Sequence, residues 1–283
     1  MRAHASAFRV RSMCRVLKVS RSGFYAWCSR PPSRRTLANA QLLHHIRQIH
    51  LASRQTCGAV KTWKILRTAG ETCGRHRVAR LRQRHGIEAN RLRRFRSRYA
   101  AANTEPPAPN VLNRDFQASQ PDRVWVGDVT FIPTREGMLY LAVLLDLHSR
   151  RVVGWAMSEK NNQALVTDAL KMAIEYRQPA VGLIHHTDQG ATYTSSAYRA
   201  ILQTHGMIPS MSRKGDCWDN AVAESFFGNL KNELTWHHTF RSRDQARVAI
   251  FDYIEVFYNR QRLHQTLGYV SPAQYEQQRV AVS

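Results

Sequence analysis

Asp128, Asp188 and Glu224 are the side chains of this 283-residue chain whose type and spacing could do chemistry. The first two are separated by 59 residues and the last two by 35, and Lys231 follows the glutamate by seven. Hard oxygen ligands from separate segments, with no C-x-x-C or H-x-x-x-H pattern beside them, suit Mg²⁺ or Mn²⁺ better than zinc. Two such ions about 4 Å apart stabilise both the attacking and the leaving oxygen at a phosphodiester, so the pattern points to cutting or joining nucleic acid.

Each acid also has a plainer reading. A lone aspartate near a strand end is usually a turn or capping residue, and a lone helix glutamate usually faces water. Asp128 resists that account, because it stands among Val126, Val129 and Phe131, where an unpaired carboxylate is costly. Asp188 opens "DQGATYTS", whose Gly190 lets a backbone approach closely. His185 and His186 precede it, but neighbours on a strand point to opposite faces, so at most one could assist, and both are left outside the site. Asp146 stands just before an expected hairpin turn and is assigned a structural role. On a helix, seven positions return to within about 20° of the start, so Glu224 and Lys231 share a face, whereas Glu233 falls on the opposite side.

The elements that must position these residues follow from periodicity. "RVWVGDVTFIP", "MLYLAVLLDLHS" and "RVVGWAMSE" read as three strands joined by two hairpins, with Asp128 inside the first. A helix from Asn162 to Tyr176, a strand "VGLIHHTD" ending at Asp188, a helix near Ser195 to His205 and a short strand "IPSMS" follow. A long helix from about Trp218 to Leu234 carries Glu224. An antiparallel meander followed by alternating helices and strands implies an α/β fold, a mixed sheet flanked by helices.

Upstream, the chain reads as all-α and basic. Residues 1–40 form a short helical segment in which Val16-Leu17 and Phe24-Tyr25-Trp27 make two apolar faces, with Ser20 as a cap, a possible helix-turn-helix. Residues 41–100 form a second, helix-turn-helix-like unit: Leu42, Leu43, Ile46 and Ile49 line one helix, Val60, Trp63 and Leu66 the next, Val78 and Leu81 the third. In such a unit the last helix lies in the major groove, which makes Arg75, Arg77, Arg80, Arg82 and Arg84 candidate DNA contacts. "RLRRFRSR" just beyond, with Arg91, Arg93 and Arg94, suits an arm tracking the backbone. Residues 101–118, rich in proline, are the expected linker, and 119–283 the catalytic core with its C-terminal helices.

Charge follows the same division. Residues 1–120 carry 25 Lys+Arg and 4 acids, so nearly all of the net +22 lies there. A face that basic, and mostly arginine, binds a polyanion by releasing its counterions, so double-stranded DNA is the expected partner. A solvated face is the bland alternative, better suited to a short run than to 120 residues. The five cysteines are odd in number and never spaced C-x-x-C, which argues for reduced thiols and against a zinc site built from His44, His45, Cys57 and Cys73. With no membrane-spanning stretch or signal peptide, a cytoplasmic protein, nucleoid-associated when bound to DNA, is expected.

The motifs "WVGDVTFIP", "LDLHSRRVVGW", "HTDQGATYTS", "SRKGDCWDNAVAESFFGNLKNE" and "YNRQRLHQTLGYVSPAQYE" resemble, in this order, the catalytic half of insertion-sequence transposases of the IS-three group, second reading frame. The core of that family is similar to retroviral integrases. The resemblance implies a ribonuclease-H-like fold with Asp128, Asp188 and Glu224 as catalytic and metal-binding residues, two Mg²⁺ or Mn²⁺ ions, and Lys231 on element-end DNA. It further implies nicking at terminal inverted repeats, strand transfer into target DNA by the freed 3′-hydroxyl, and a homo-oligomer on DNA. Gly127, where relatives often carry a hydroxyl residue, and Cys57-Gly58, in place of an aromatic-glycine pair, depart from the family pattern without removing a ligand. Leucine-rich heptads are missing, so a first-frame partner or a frameshift fusion is expected. Two other readings are a catalytically silent DNA-binding regulator, which the intact triad opposes, and a plain hydrolase, which the basic helices oppose.

Overall fold

The computed structural model describes residues 1–90, 108–112, 118–212 and 220–280. Five strands form one sheet: β1 (Val124–Thr134), β2 (Gly137–Asp146), β3 (Val152–Ser158), β4 (Ile184–Thr187) and β5 (Ile208–Met211), in the order β3-β2-β1-β4-β5. The first three pair antiparallel, as the two-hairpin reading expects, while β4 runs parallel to β1, and β5 to β4. This mixed sheet, clad by helices on both faces, is the ribonuclease-H-like architecture.

Local chemistry closes the hairpins. The Thr134 hydroxyl donates to the Gly137 carbonyl at 2.7 Å, and Gly137 has φ of 115°, a conformation that favours glycine. Asp146, fully buried, accepts from the backbone N–H groups of Asp122 and Ser149 and from the Ser149 hydroxyl, so it fastens the β2–β3 turn, the structural role assigned to it.

The strands are buried on both sides, and alternation along β1 divides two cores. Trp125 faces one, with Leu165, Ala169 and Tyr198, while Val124, Val126 and Ile132 face the other, with Phe226, Leu230 and Ile250. The first core is covered by α6 (Gln163–Arg177), which buries Leu165, Val166, Ala169, Leu170 and Ala173, with contributions from α7 (Ala191–Thr194) and α8 (Ser196–Thr204). Asn162 caps α6 by accepting from the Leu165 N–H. The second core is covered by α9 (Ala221–Glu233), α10 (Arg243–Phe251) and a π-helical turn, Asp252–Tyr258. α11 (Pro272–Val280) is bound through Glu276, which pairs with Arg151 at 2.7 Å and with Arg177 at 3.0 Å.

Upstream, α1 (Val10–Val16) and α2 (Arg21–Ser29) precede α3 (Arg34–Ala52), α4 (Ala59–Thr68) and α5 (Arg75–Arg84). A division at residue 40 is not seen, because α3 runs through it as one helix capped by Ser33. The apolar faces expected in the first segment are not buried: Val16, Leu17, Tyr25 and Trp27 are all exposed. Ser20 does cap α2, accepting from the Gly23 N–H at 3.0 Å. In the second unit Leu42, Ile46, Leu66, Val78 and Leu81 form a core, as the stripes expect. Val60 is exposed and Thr62 takes the buried position. The expected linker is not free throughout: the N–H groups of Val111 and Leu112 donate to the Ser210 hydroxyl in β5.

Candidate active site

Asp128 sits in mid-β1 on the face shared by Val124, Val126 and Ile132, the face that α9 covers. β4 pairs with β1 only at Val124, Trp125 and Val126. Asp188 follows directly on β4, which ends at Thr187, one residue earlier than expected. Glu224 lies in the first turn of α9 and Lys231 in its last, and Trp218, the expected helix start, lies outside the described residues.

Electrostatics ties these groups together. Loss of hydration, then the charge of Asp188, with a smaller push from Glu224, raises the Asp128 carboxyl to about 8, against the pull of the Val129 N–H and of Lys231. Desolvation likewise raises Asp188, opposed by the bond from the Gly190 N–H at 3.0 Å, and raises Glu224. Desolvation lowers Lys231, while Asp128 pulls it back up. The Lys231 ammonium lies 5.5 Å from the centre of the Phe131 ring, within cation–π range.

Among the described residues no three His, Cys, Asp or Glu side chains are gathered tightly enough to ligate one ion, the three acids included. The donor set itself, oxygen-only and crowded with like charge beside an exposed rim, fits a hard divalent cation.

The other acids and histidines near the site are engaged elsewhere. Glu233 is held by Arg262 at 2.8 Å and by the Tyr253 hydroxyl, also at 2.8 Å. His185 Nε2 meets the Tyr198 hydroxyl at 2.7 Å, and His186 Nδ1 meets the Ser210 hydroxyl at 2.9 Å. His45 pairs with Glu71 at 2.7 Å, and Cys57 and Cys73 are buried.

Of the candidate DNA contacts, Arg75, Arg80 and Arg84 are exposed on α5. Arg77 is half-buried and donates to Asn39 at 2.8 Å. Arg82 does not belong with them: it is 4% exposed, and its guanidinium donates to the Thr62 hydroxyl and the Cys57 carbonyl. Its position on the inner face of α5 makes it a core strut. Arg91, Arg93 and Arg94 lie outside the described residues. Sequence patterns did not single out Tyr193, whose hydroxyl feels the charges of both Asp128 and Asp188, or the exposed Phe131 ring.

Comparison with known proteins adds independent observations. Residues 118–217 and 224–280 each match an integrase core domain model, and residues 37–95 match an HTH-like domain. A Shigella sonnei protein called insertion element IS600 uncharacterized 31 kDa protein is 43% identical over 265 residues, 94% of this chain and 97% of that protein. Transposase InsF for insertion sequence IS3A, from Escherichia coli strain K12, is 42% identical over 282 residues, 98% of this chain and 97% of that protein. Among solved structures, a chain of the simian T-cell lymphotropic virus intasome in complex with PP2A regulatory subunit B56 gamma has a TM-score of 0.48 at 15% identity, covering 82% of this chain and 74% of its own. The HTLV-2 integrase catalytic core domain in complex with magnesium, trimeric form, has a TM-score of 0.44 at 18% identity, covering 56% and 99%.

Proposed function

Since this chain belongs to the IS3 family of insertion-sequence transposases, we propose that Asp128, Asp188 and Glu224 are the carboxylates with which it cuts and joins DNA. The observation that carries the assignment is convergence: Asp128 on β1, Asp188 directly after the neighbouring β4 and Glu224 on α9, which packs against β1, come close enough for Asp188 and Glu224 both to act on Asp128, with Lys231 beside them. Bound Mg²⁺ or Mn²⁺, two ions in this reading, would supply Lewis-acid stabilisation of the attacking and leaving oxygens.

The chain's own residues do the rest. Asp128 is fixed on a rigid strand, and its Oδ1 accepts the Val129 N–H, so the carboxylate plane is set before any ligand arrives. Asp188 is held in the same way by Gly190 and leaves its second oxygen free of that bond. Glu224, exposed on α9, completes the set by a side-chain turn. Lys231, set over Phe131, places a positive charge where a phosphodiester would approach, and α5 with Arg75, Arg80 and Arg84 faces outward to bind the element end. The acting form in this reading is a homo-oligomer on DNA, working with a first-frame partner or as a frameshift fusion.

Purified protein with Mg²⁺ and a labelled terminal inverted repeat is expected to nick and join strands. Asp128→Asn, Asp188→Asn and Glu224→Gln should each abolish both steps, a loss of at least about 100-fold, while DNA retention in a gel-shift assay stays within a few-fold. Full activity in all three variants would overturn the assignment.

A further inference from the structure

The C-terminal motif "YNRQRLH" plays no part in the chemistry described so far, yet it reaches the helix that carries Glu224 and Lys231. Glu233 is the last residue of α9, where the helix dipole disfavours a negative charge. The structure resolves that conflict with a clamp. Arg262 Nε lies 2.8 Å from one carboxylate oxygen of Glu233, its Nη2 lies 2.8 Å from the other, and the Tyr253 hydroxyl donates to the first at 2.8 Å. Both side chains of the ion pair are only 9% exposed.

Arg262 is itself fixed. Its N–H donates to the Phe257 carbonyl at 2.7 Å, and its guanidinium lies 5.7 Å from the centre of the Tyr258 ring. Residues five apart diverge around an α-helix, but in the wider π-helical turn they come to nearly one side, and the Tyr253 and Tyr258 rings lie 6.1 Å apart there. The turn thereby gathers both tyrosines around one guanidinium.

We infer that Arg262, together with Tyr253, is a positioning residue that sets the tilt of α9 through Glu233 and so the reach of Glu224 and Lys231 toward Asp128. This rests on the assignment of Glu224 and Lys231 to the active site. Glu224 stands nine residues, roughly 13.5 Å of helix, from the clamp, so a pivot of about 5° moves it by about 1 Å. A misplacement of that size costs on the order of 100-fold in rate.

The test uses the full chain with Mg²⁺ and terminal-repeat DNA. Arg262→Lys, which loses the planar fork, and Tyr253→Phe, which loses one donor and keeps the ring, are each expected to lower kcat for joining by about 10- to 100-fold. KM for DNA should stay within twofold, the Mg²⁺ concentration for half-maximal activity should rise several-fold, and amide exchange at Leu230–Leu234 should quicken. If Arg262→Lys does not fold, Tyr253→Phe decides. Unchanged kcat, or a loss that only follows the unfolded fraction with the Mg²⁺ midpoint unmoved, overturns the clamp. Glu224→Gln run alongside keeps the two ideas apart: if it stays active, the site assignment fails, whatever the clamp variants do.

Discussion

At the scale of single residues, Asp128 lowers the stability of the fold, as a residue kept for the proposed chemistry would. Its carboxyl is raised to about 8 by lost hydration first and the Asp188 charge second, so the folded state binds this proton more tightly than the unfolded chain does. A group of that kind adds stability below its unfolded value, near 3.8, and loses it as pH rises through the folded value. At neutral pH the fold therefore holds a proton that the unfolded chain has released, at a cost in stability. Asp128→Asn should raise the melting temperature by a few degrees, at about 2–4 °C per kcal/mol relieved, while abolishing joining. Saturating Mg²⁺ should raise the melting temperature of the native protein and leave that of the variant almost unmoved. A variant that melts lower than the native protein would count against this electrostatic account. The three proposed acids stand out in the sequence because an aspartate in an apolar strand and a helical Glu–Lys spacing of seven are local signals. Arg82 was misread for the opposite reason: its type suggested DNA, and only tertiary packing brings it to Thr62 and the Cys57 carbonyl.

At the scale of elements, the contact of α6 with the sheet depends on a missing side chain. A Cβ on Gly154 of β3 would stand 2.4 Å from the Ala169 carbonyl oxygen and 2.7 Å from the Ala173 Cβ. Gly154→Ala should therefore push α6 off the sheet and cost about 1–3 kcal/mol, seen as a lower urea midpoint with little change in slope. An unchanged midpoint would mean that the helix shifts freely. The strands and long helices were legible from period and turn chemistry, since alternation and capping act within a few residues. The π-helical turn was not, because nothing in "DYIEVFY" departs from helical periodicity; what singles it out is the Arg262–Glu233 contact made 29 residues apart. The exposure of Val60 is similar, for burial of Thr62 in its place follows the demand of the Arg82 guanidinium for an oxygen.

At the scale of the whole molecule, ionic links join distant parts of the chain, and acid should release them in stages. Burial first, then the charge of His186, lowers His185 to about 3, so it stays neutral in the fold while the unfolded chain takes a proton below about 6.5. At Glu276 burial pushes the carboxyl up, but the charge and hydrogen bonds of Arg177, helped by Arg151, outweigh it and leave the group below its usual 4.5. Both groups have depressed folded values, so both contribute stability at neutral pH that is lost as pH falls. The urea midpoint should begin to drop below about pH 6.5 and fall more steeply below 4.5, and Glu276→Gln should flatten the second phase. The same pH profile in native protein and variant would exclude Glu276 from that phase. A second link runs from the loop after α3, where Arg54 pairs with Asp252 at 2.5 Å and its guanidinium lies 4.8 Å from the centre of the Phe257 ring, so the helix-turn-helix unit rests on the π-helical turn. No charge pattern in the sequence announces that contact. The short pairing between β4 and β1 has one more consequence. Beyond Val126 the β4 side of β1 has, among the described residues, no strand partner for most of its length, and a bare strand edge can recruit a second copy into an extended sheet. α9 packs against that strand and Lys231 stands over it. A helix and a lysine laid along such an edge are devices that discourage edge-to-edge pairing, so in the proposed active site they would serve twice.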